Sequence, residues 1–446
     1  MTTIPATKDH PIEARTPRLW IPIGAHTGVD FLQFITISLL PLLSVRLGIT
    51  TQEKSLLIGL GIVASGSVQP VVAWLSDRHD SRWLGTAGVV VATVCVALVG
   101  FAPNFPVLLT LFLLGSMGVG AFHPPAAATV GTLAGKRRRS VMLNVFFMSG
   151  MLGGMVGNAL TPQFVRGAGA LSGGDEAAQI TFGLHALIGL LPLGLLTAMV
   201  LGRAIHNTPH RHATAHDDHH ALSATEKRRR WGAVWLLYFA NVIRFAVNNA
   251  LIYLFIEWSE RLTAARAGVT TLDEQLGLKA SATSGPLQAA MQLGMGIGGI
   301  GLGALLVSGL GRRLEKLSFI VIPMVGTLVV ASFPYADRLE SSAAWATLPA
   351  AFTIAVLGGI GFGALIPVSL SIAQRLLPHR TGLASGMMLG GAWMFAIVGA
   401  LVAEAIHADN DANLEHAFLI AAVVLSAASA LGLFLPGRLL RETAHD

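Results

Sequence analysis

Long apolar runs broken by short polar stretches fill almost the whole of this 446-residue chain. The runs fall at about 20–45, 55–75, 84–102, 107–134, 140–165, 181–203, 231–258, 282–308, 317–335, 345–373, 382–405 and 415–435. Each is about long enough for a helix to cross a hydrocarbon core about 30 Å thick. The pattern predicts an all-α polytopic membrane protein with twelve transmembrane helices.

The least apolar stretch parts six spans from six. The expected organisation is a cytoplasmic segment at 1–19, a six-helix bundle at 20–203, a cytoplasmic linker at 204–230, a second six-helix bundle at 231–435 and a cytoplasmic tail at 436–446. The linker holds His206, His210, His212, His216, His219 and His220, then Glu226 and the run Lys227–Arg230. Its plain reading is a disordered connection; the sharper one is a metal or pH sensor, although no fixed ligand geometry is implied. The halves also echo each other. LGSMGVGAFHP, from Leu114 to Pro124, aligns without gaps with LGGIGFGALIP, from Leu357 to Pro367. Each is followed by a basic loop and a glycine-rich span, which points to duplication and a pseudo-symmetric transporter.

Composition agrees with the pattern. Hydrophobic residues make up 53% of the chain, charged residues 12%, and 50 glycines suit closely packed spans. Gly150, Gly154 and Gly157 are candidates for such packing, and Pro124 with Pro125 should kink or break the fourth span. The start of the chain shows no cleavable signal peptide, and the single cysteine, Cys95, excludes an intrachain disulfide. A net charge of +6 could suggest nucleic acid, but its distribution argues otherwise. Of the 30 Lys and Arg, 22 lie in the termini and the loops on the N-terminal side, seven on the other side, and Arg244 within a span. That asymmetry places both termini in the cytoplasm, with basic runs such as Lys136–Arg139 against anionic lipid headgroups.

Charges inside the apolar runs are the candidate chemistry. Asp30 and Arg244 each lie roughly ten to fifteen residues beyond a tryptophan, Trp20 or Trp231, near mid-membrane at about 1.5 Å per residue. An ionised group there costs at least about 2.5–3.5 kcal/mol unless it meets water or a partner. His26 shares a helix face with Asp30, and Gln33 is close by. Asn241, Arg244 and Asn248 form one stripe on the seventh span, while His123 and the pair Gln288 and Gln292 stand on the fourth and eighth. Such stripes line a water-filled cavity or glue helices together. We expect Asp30 and His26 to handle protons. Arg244, His123, Asn241, Asn248, Gln33 and Gln292 should bind substrate, with Arg244 suited to carboxylate, phosphate or phosphonate. If Asp30 and Arg244 are neighbours, an arriving anion would compete with Asp30 for Arg244 and favour its protonation. No catalytic group, cofactor or metal is expected; HExxH, GxSxG and GxxxxGK[ST] are all missing from the sequence.

Between the second and third spans stands Ala73-Trp-Leu-Ser-Asp77-Arg78-His-Asp80-Ser-Arg82. It resembles the major facilitator superfamily signature Gly-x-x-x-Asp-Arg-x-Gly-Arg-Arg, which in that family latches the cytoplasmic gate. Asp77, Arg78 and Arg82 match; Ala73, Asp80 and Ser81 depart. The corresponding loop, Ser308-GLGRRLEK, keeps Arg312 and Arg313 but lacks the acid at that position, so a stronger latch is expected in the first half. Four further pieces resemble the fosmidomycin resistance family of efflux transporters: His26-xxx-Asp30 with Leu39-Leu-Pro41, Gln69-Pro70-Val-Val, Phe122-His123-Pro124, and Leu377-Pro378-x-Arg380-x-Gly382-xxx-Gly386. The resemblance implies the twelve-helix facilitator fold, proton-driven export of small anionic or amphipathic compounds, and a gate role for Asp77, Arg78, Arg82 and Arg380. Family members usually carry an acid after Phe-His-Pro, where this chain has Pro125. Asp30 is then the main candidate for carrying a proton.

The expected function is proton-coupled efflux of a drug-like or anionic small molecule by alternating access. The alternatives are proton-coupled uptake of an organic anion and a non-transporting membrane sensor. The expected setting is the cytoplasmic (inner) membrane, as a monomer, with protons, lipids and a small-molecule substrate as partners and no nucleic acid.

Overall fold

Hydrocarbon offers no water to an open backbone, and helices meet that demand within a single segment. The computed structural model describes residues 16–79, 83–206, 223–307, 309–377, 380–407 and 413–443, which contain helices and no strand. The first half comprises α1 (Thr16–Ser38), α2 (Leu40–Leu47), α3 (Thr51–His79), α4 (Trp83–Leu98), α5 (Phe105–Leu133), α6 (Gly135–Ala170), α7 (Glu176–His185) and α8 (Leu190–His206). The second comprises α9 (Ala224–Ala267), α10 (Glu274–Val307), α11 (Gly309–Ala331), α12 (Phe333–Ser342), α13 (Ala344–Gly363), α14 (Leu365–Leu376), α15 (Thr381–Gly386), α16 (Ala392–Met394), α17 (Ile397–His407), α18 (Leu414–Leu433) and α19 (Gly437–Glu442). Among the described residues 11 stretches are long and apolar enough to span a membrane, and 12 when the bent pair Arg18–Ser38 and Leu40–Leu47 counts as one. The bend is 45°. Pro41, in the first turn of α2, supplies no N–H to continue the helix there.

The first and seventh spans end alike. Gly48 closes α2 at φ +64° and Gly268 closes α9 at φ +67°, the left-handed region that glycine enters without strain. These turns lie at the end of the molecule opposite the 204–230 linker, here called the Gly48 end.

The repeated segments make equivalent contacts. A Cβ on Gly118 of α5 would stand 2.5 Å from the Gly88 carbonyl oxygen of α4, and one on its counterpart Gly361 of α13 would overlap Gly326 of α11. Gly120 similarly abuts Ser65 of α3, and Gly363 abuts Met295 of α10. The third and ninth spans, and the second and eighth, therefore meet the repeat at matching glycines. Three sequence expectations change. Helix α5 runs unbroken through Pro124 and Pro125, so the fourth span does not break. In the tenth span α13 and α14 part at Ala364, three residues before Pro367. Helix α9 also starts at Ala224, earlier than Trp231, because the Ser223 hydroxyl accepts from the Glu226 N–H at 3.1 Å. Ser223-x-x-Glu226 has the spacing of a capping box, and it carries Lys227–Arg230 on the first turns of the helix.

Candidate functional site

The glycine stripe of α6 brings α1 close. Side chains at Gly153 and Gly157 would strike the carbonyls of Thr27 and Phe31, and one at Gly150 would strike His26 Nε2 and Asp30 Oδ2. This approach seats His26 and Asp30 beside His123 of α5. His26 Nε2 lies 3.3 Å from Asp30 Oδ2 and 3.1 Å from His123 Nε2, and His123 Nε2 lies 3.5 Å from Asp30 Oδ1.

The other ring nitrogens decide what this trio can do. His26 Nδ1 donates to the Phe146 carbonyl at 2.6 Å, and His123 Nδ1 donates to the Val119 carbonyl at 2.8 Å. A carbonyl only accepts, so each Nδ1 carries the hydrogen and each neutral imidazole turns a lone pair inward. Three acceptors then converge, one a carboxylate. Lone pairs this close repel unless a positive charge sits among them. Phe146 stacks on His26 with ring centroids 4.0 Å apart, and Phe122 closes another side at 5.7 Å. His26 is buried, whereas the side chains of Asp30 and His123 are 20% and 21% exposed, so the trio is walled on one side and reachable from the other.

Arg244 sits elsewhere, so the condition that it neighbours Asp30 is not met. Its exposure is 0%, and among the described residues no carboxylate lies within ion-pair distance. Nη1 donates to Asn241 Oδ1 at 2.9 Å, and the guanidinium carbon stands 5.3 Å from the centre of the Phe319 ring. Asn241 Nδ2 donates to Ser369 Oγ at 2.7 Å and to the Met388 carbonyl at 3.3 Å. Among the described residues Arg244 Nε and Nη2 have no hydrogen-bond partner. Direct competition between an anion and Asp30 for Arg244 is therefore not available in this arrangement. Both halves nonetheless place a polar cluster between equivalent spans: the first and fourth in one, the seventh and tenth in the other.

The remaining candidates scatter. Gln292 Nε2 would stand 3.2 Å from a Cβ on Gly154, one turn along α6 from the trio, and its Oε1 is buried without a partner. Gln288 is buried with both amide atoms unpartnered among the described residues, Asn248 is buried, and Gln33 is half-buried on α1. Of the gate residues, Arg380 is exposed just before α15. The backbone of Asp77 and Arg78 belongs to α3, but their side chains, and all of Arg82, lie outside the described residues, as do 207–222 of the linker. Glu315, two residues past Arg313, is buried and pairs with Arg375 of α14 at 2.5 Å.

Sequence reasoning missed a second ionic cluster. Lys54 Nζ of α3 lies 2.5 Å from Glu257 Oε1 and 2.8 Å from Glu260 Oε2, both on α9. His407 of α17 lies 3.4 Å from Glu257, and Ser44 Oγ donates to Glu260 at 3.3 Å. Arg46 with Glu274 (3.0 Å), Glu176 with Gln275 (2.7 Å) and the Leu42 N–H with Ser281 Oγ (3.2 Å) add further bonds. All but the His407 contact, which lies within the second half, tie the first half to the second at the Gly48 end. The available signal was three charges at or just beyond the ends of apolar spans, at positions 54, 257 and 260.

The family model described as Major Facilitator Superfamily matches residues 24–353. The fosmidomycin resistance protein of Escherichia coli K12 is 23% identical over 416 residues, covering 92% of this chain and 91% of that protein. An uncharacterised MFS-type transporter of Bacillus subtilis, YfnC, is 23% identical over 137 residues, covering 31% of this chain and 32% of its own length. Among solved structures, a bacterial homolog of the human lysosomal transporter Spinster, inward-facing and unoccupied, superposes with a TM-score of 0.70 at 14% identity, covering 98% of each chain. Its occupied, inward-facing form gives 0.68 at 14% identity, over 94% of this chain and 96% of that one.

Proposed function

This chain belongs to the major facilitator superfamily, a family of membrane transporters rather than enzymes, and on that premise we propose that it is a proton-coupled exporter of small, anionic, drug-like compounds. The observation that carries the reading is the convergence of His26, Asp30 and His123 on one point that needs a positive charge. A proton shared among them satisfies that need and can be taken up and released as the trio is rehydrated. Arg244, with two donors unpartnered, supplies the complementary site for an anion in the other half. Asn241 holds it, while Asn248, Gln33 and Gln292 serve the substrate path. Proton and substrate are then coupled through the rocking of the halves rather than through a shared ion pair.

In this reading the termini face the cytoplasm of an inner membrane, the Gly48 end faces outward, and the Lys54 cluster holds that end shut. Asp77, Arg78, Arg82 and Arg380 guard the inner end. Lys227–Arg230 meet anionic headgroups, and the chain works as a monomer. The relative's name makes fosmidomycin the first probe. In proteoliposomes, an imposed proton gradient should drive fosmidomycin or another phosphonate against its own gradient, with proton movement on substrate addition. Asp30→Asn should abolish driven accumulation and retain part of the labelled exchange. Proton-independent transport of every anion tested would sink the coupling, and binding without counterflow would make the chain a sensor.

A further inference from the structure

We infer that His26, Asp30 and His123 also form a binding site for a first-row divalent transition metal, with Zn2+ as the reference ion. Three His and Asp ligand atoms from α1 and α5 lie within 4.8 Å of one another. The spacing is close to that of a coordination sphere, whose ligands about 2.0–2.1 Å from a tetrahedral centre stand about 3.3–3.4 Å apart. The two Nε2 atoms are 3.1 Å apart, and the two oxygens of Asp30 face them separately, Oδ2 at 3.3 Å from His26 and Oδ1 at 3.5 Å from His123.

The surroundings fit as well. Metal-binding histidines commonly donate their second nitrogen to a carbonyl, which fixes the tautomer and aims the lone pair at the ion. Both histidines do so here, through Phe146 and Val119. Gly150 keeps the adjoining volume clear, since any side chain there would meet the two ligand atoms of α1. The partly exposed edge at Asp30 and His123 leaves a fourth position for water. Two imidazoles and one carboxylate suit Zn2+, Co2+ or Ni2+, whereas Mg2+ and Ca2+ prefer larger, all-oxygen shells. The metal takes the place of the proton in the same trio, so the inference shares with the transport reading only the claim that this is a cation site.

Equilibrium binding tests it without any transport. The full chain is purified without a polyhistidine tag, with His206, His210, His212, His216, His219 and His220 replaced by serine so that the linker cannot contribute. Titration with Co2+ should produce the visible bands of a tetrahedral complex at one ion per chain, and Zn2+ should displace it while Mg2+ and Ca2+ do not. His123→Ala and Asp30→Asn should each weaken binding by more than the about 10–100-fold that loss of an outer-shell partner costs. Gly150→Ala should weaken it at least tenfold with all three ligands present, which keeps the test informative if a ligand variant fails to fold. A parent chain without tetrahedral bands would overturn the site and leave proton coupling standing. So would affinities unchanged by His123→Ala and Asp30→Asn in monodisperse protein, or displacement by Mg2+.

Discussion

Arg244 is a fully buried cation with two of its donors unsatisfied among the described residues. A cation at mid-membrane costs at least about 2.5–3.5 kcal/mol. One hydrogen bond to Asn241 and the face of Phe319, the latter worth about 2 kcal/mol when desolvated, act against that cost, but Nε and Nη2 stay unsatisfied among the described residues. We therefore expect Arg244→Met to leave the thermal midpoint in detergent unchanged or raised, while anionic substrates lose at least tenfold in affinity and cationic ones do not. Equal weakening of both classes would remove Arg244 from an anion site. Asp30 and Arg244 were legible in the sequence because a charge within an apolar run is a local fact. Their partners were not, because whether Asp30 meets Arg244 or His123 depends on how each helix is rotated about its axis. The commitment of both Nδ1 atoms to the Phe146 and Val119 carbonyls lies further out of reach, since backbone carbonyls carry no residue identity.

At the scale of elements, the contact between α3 and α9 has the clearest energetic consequence. Lys54 neutralises one of two carboxylates, the buried Glu257 and the half-buried Glu260, and shares itself between both. Removing one member of such a buried group costs about 3–5 kcal/mol, because the remaining charges stay buried without compensation. Lys54→Met should lower the thermal midpoint sharply, and adding Glu257→Gln and Glu260→Gln should restore most of it. If the triple variant is no better than Lys54→Met, the cluster is not a closed electrostatic unit. Helix boundaries were partly legible. Ser223-x-x-Glu226 announces a helix start that the apolar pattern, which begins at Trp231, conceals. Pro124 and Pro125 mislead in the other direction, since neighbouring helices hold α5 together across them.

For the whole molecule, the sequence was most informative. Lipid forces every span to be helical, so apolar length alone returned the number of crossings, and the Leu114 and Leu357 segments revealed the duplication. Orientation rests on the distribution of Lys and Arg and can be measured directly. With Cys95→Ser as background, a single cysteine at Ser172 should react with an impermeant thiol reagent from outside intact cells. One placed at His212 should react only after the membrane is opened. The reverse pattern would invert the topology.

The matching glycines lend the molecule a built-in replicate. Gly118 against Gly88 and Gly361 against Gly326 are the same joint assembled twice, on sequences that have otherwise drifted apart. A bulky residue placed in either joint poses the same mechanical insult to a different half. Gly118→Leu and Gly361→Leu should therefore depress folding yield alike, and any difference in what the surviving protein can still do would divide the labour between one half and its ancestral twin.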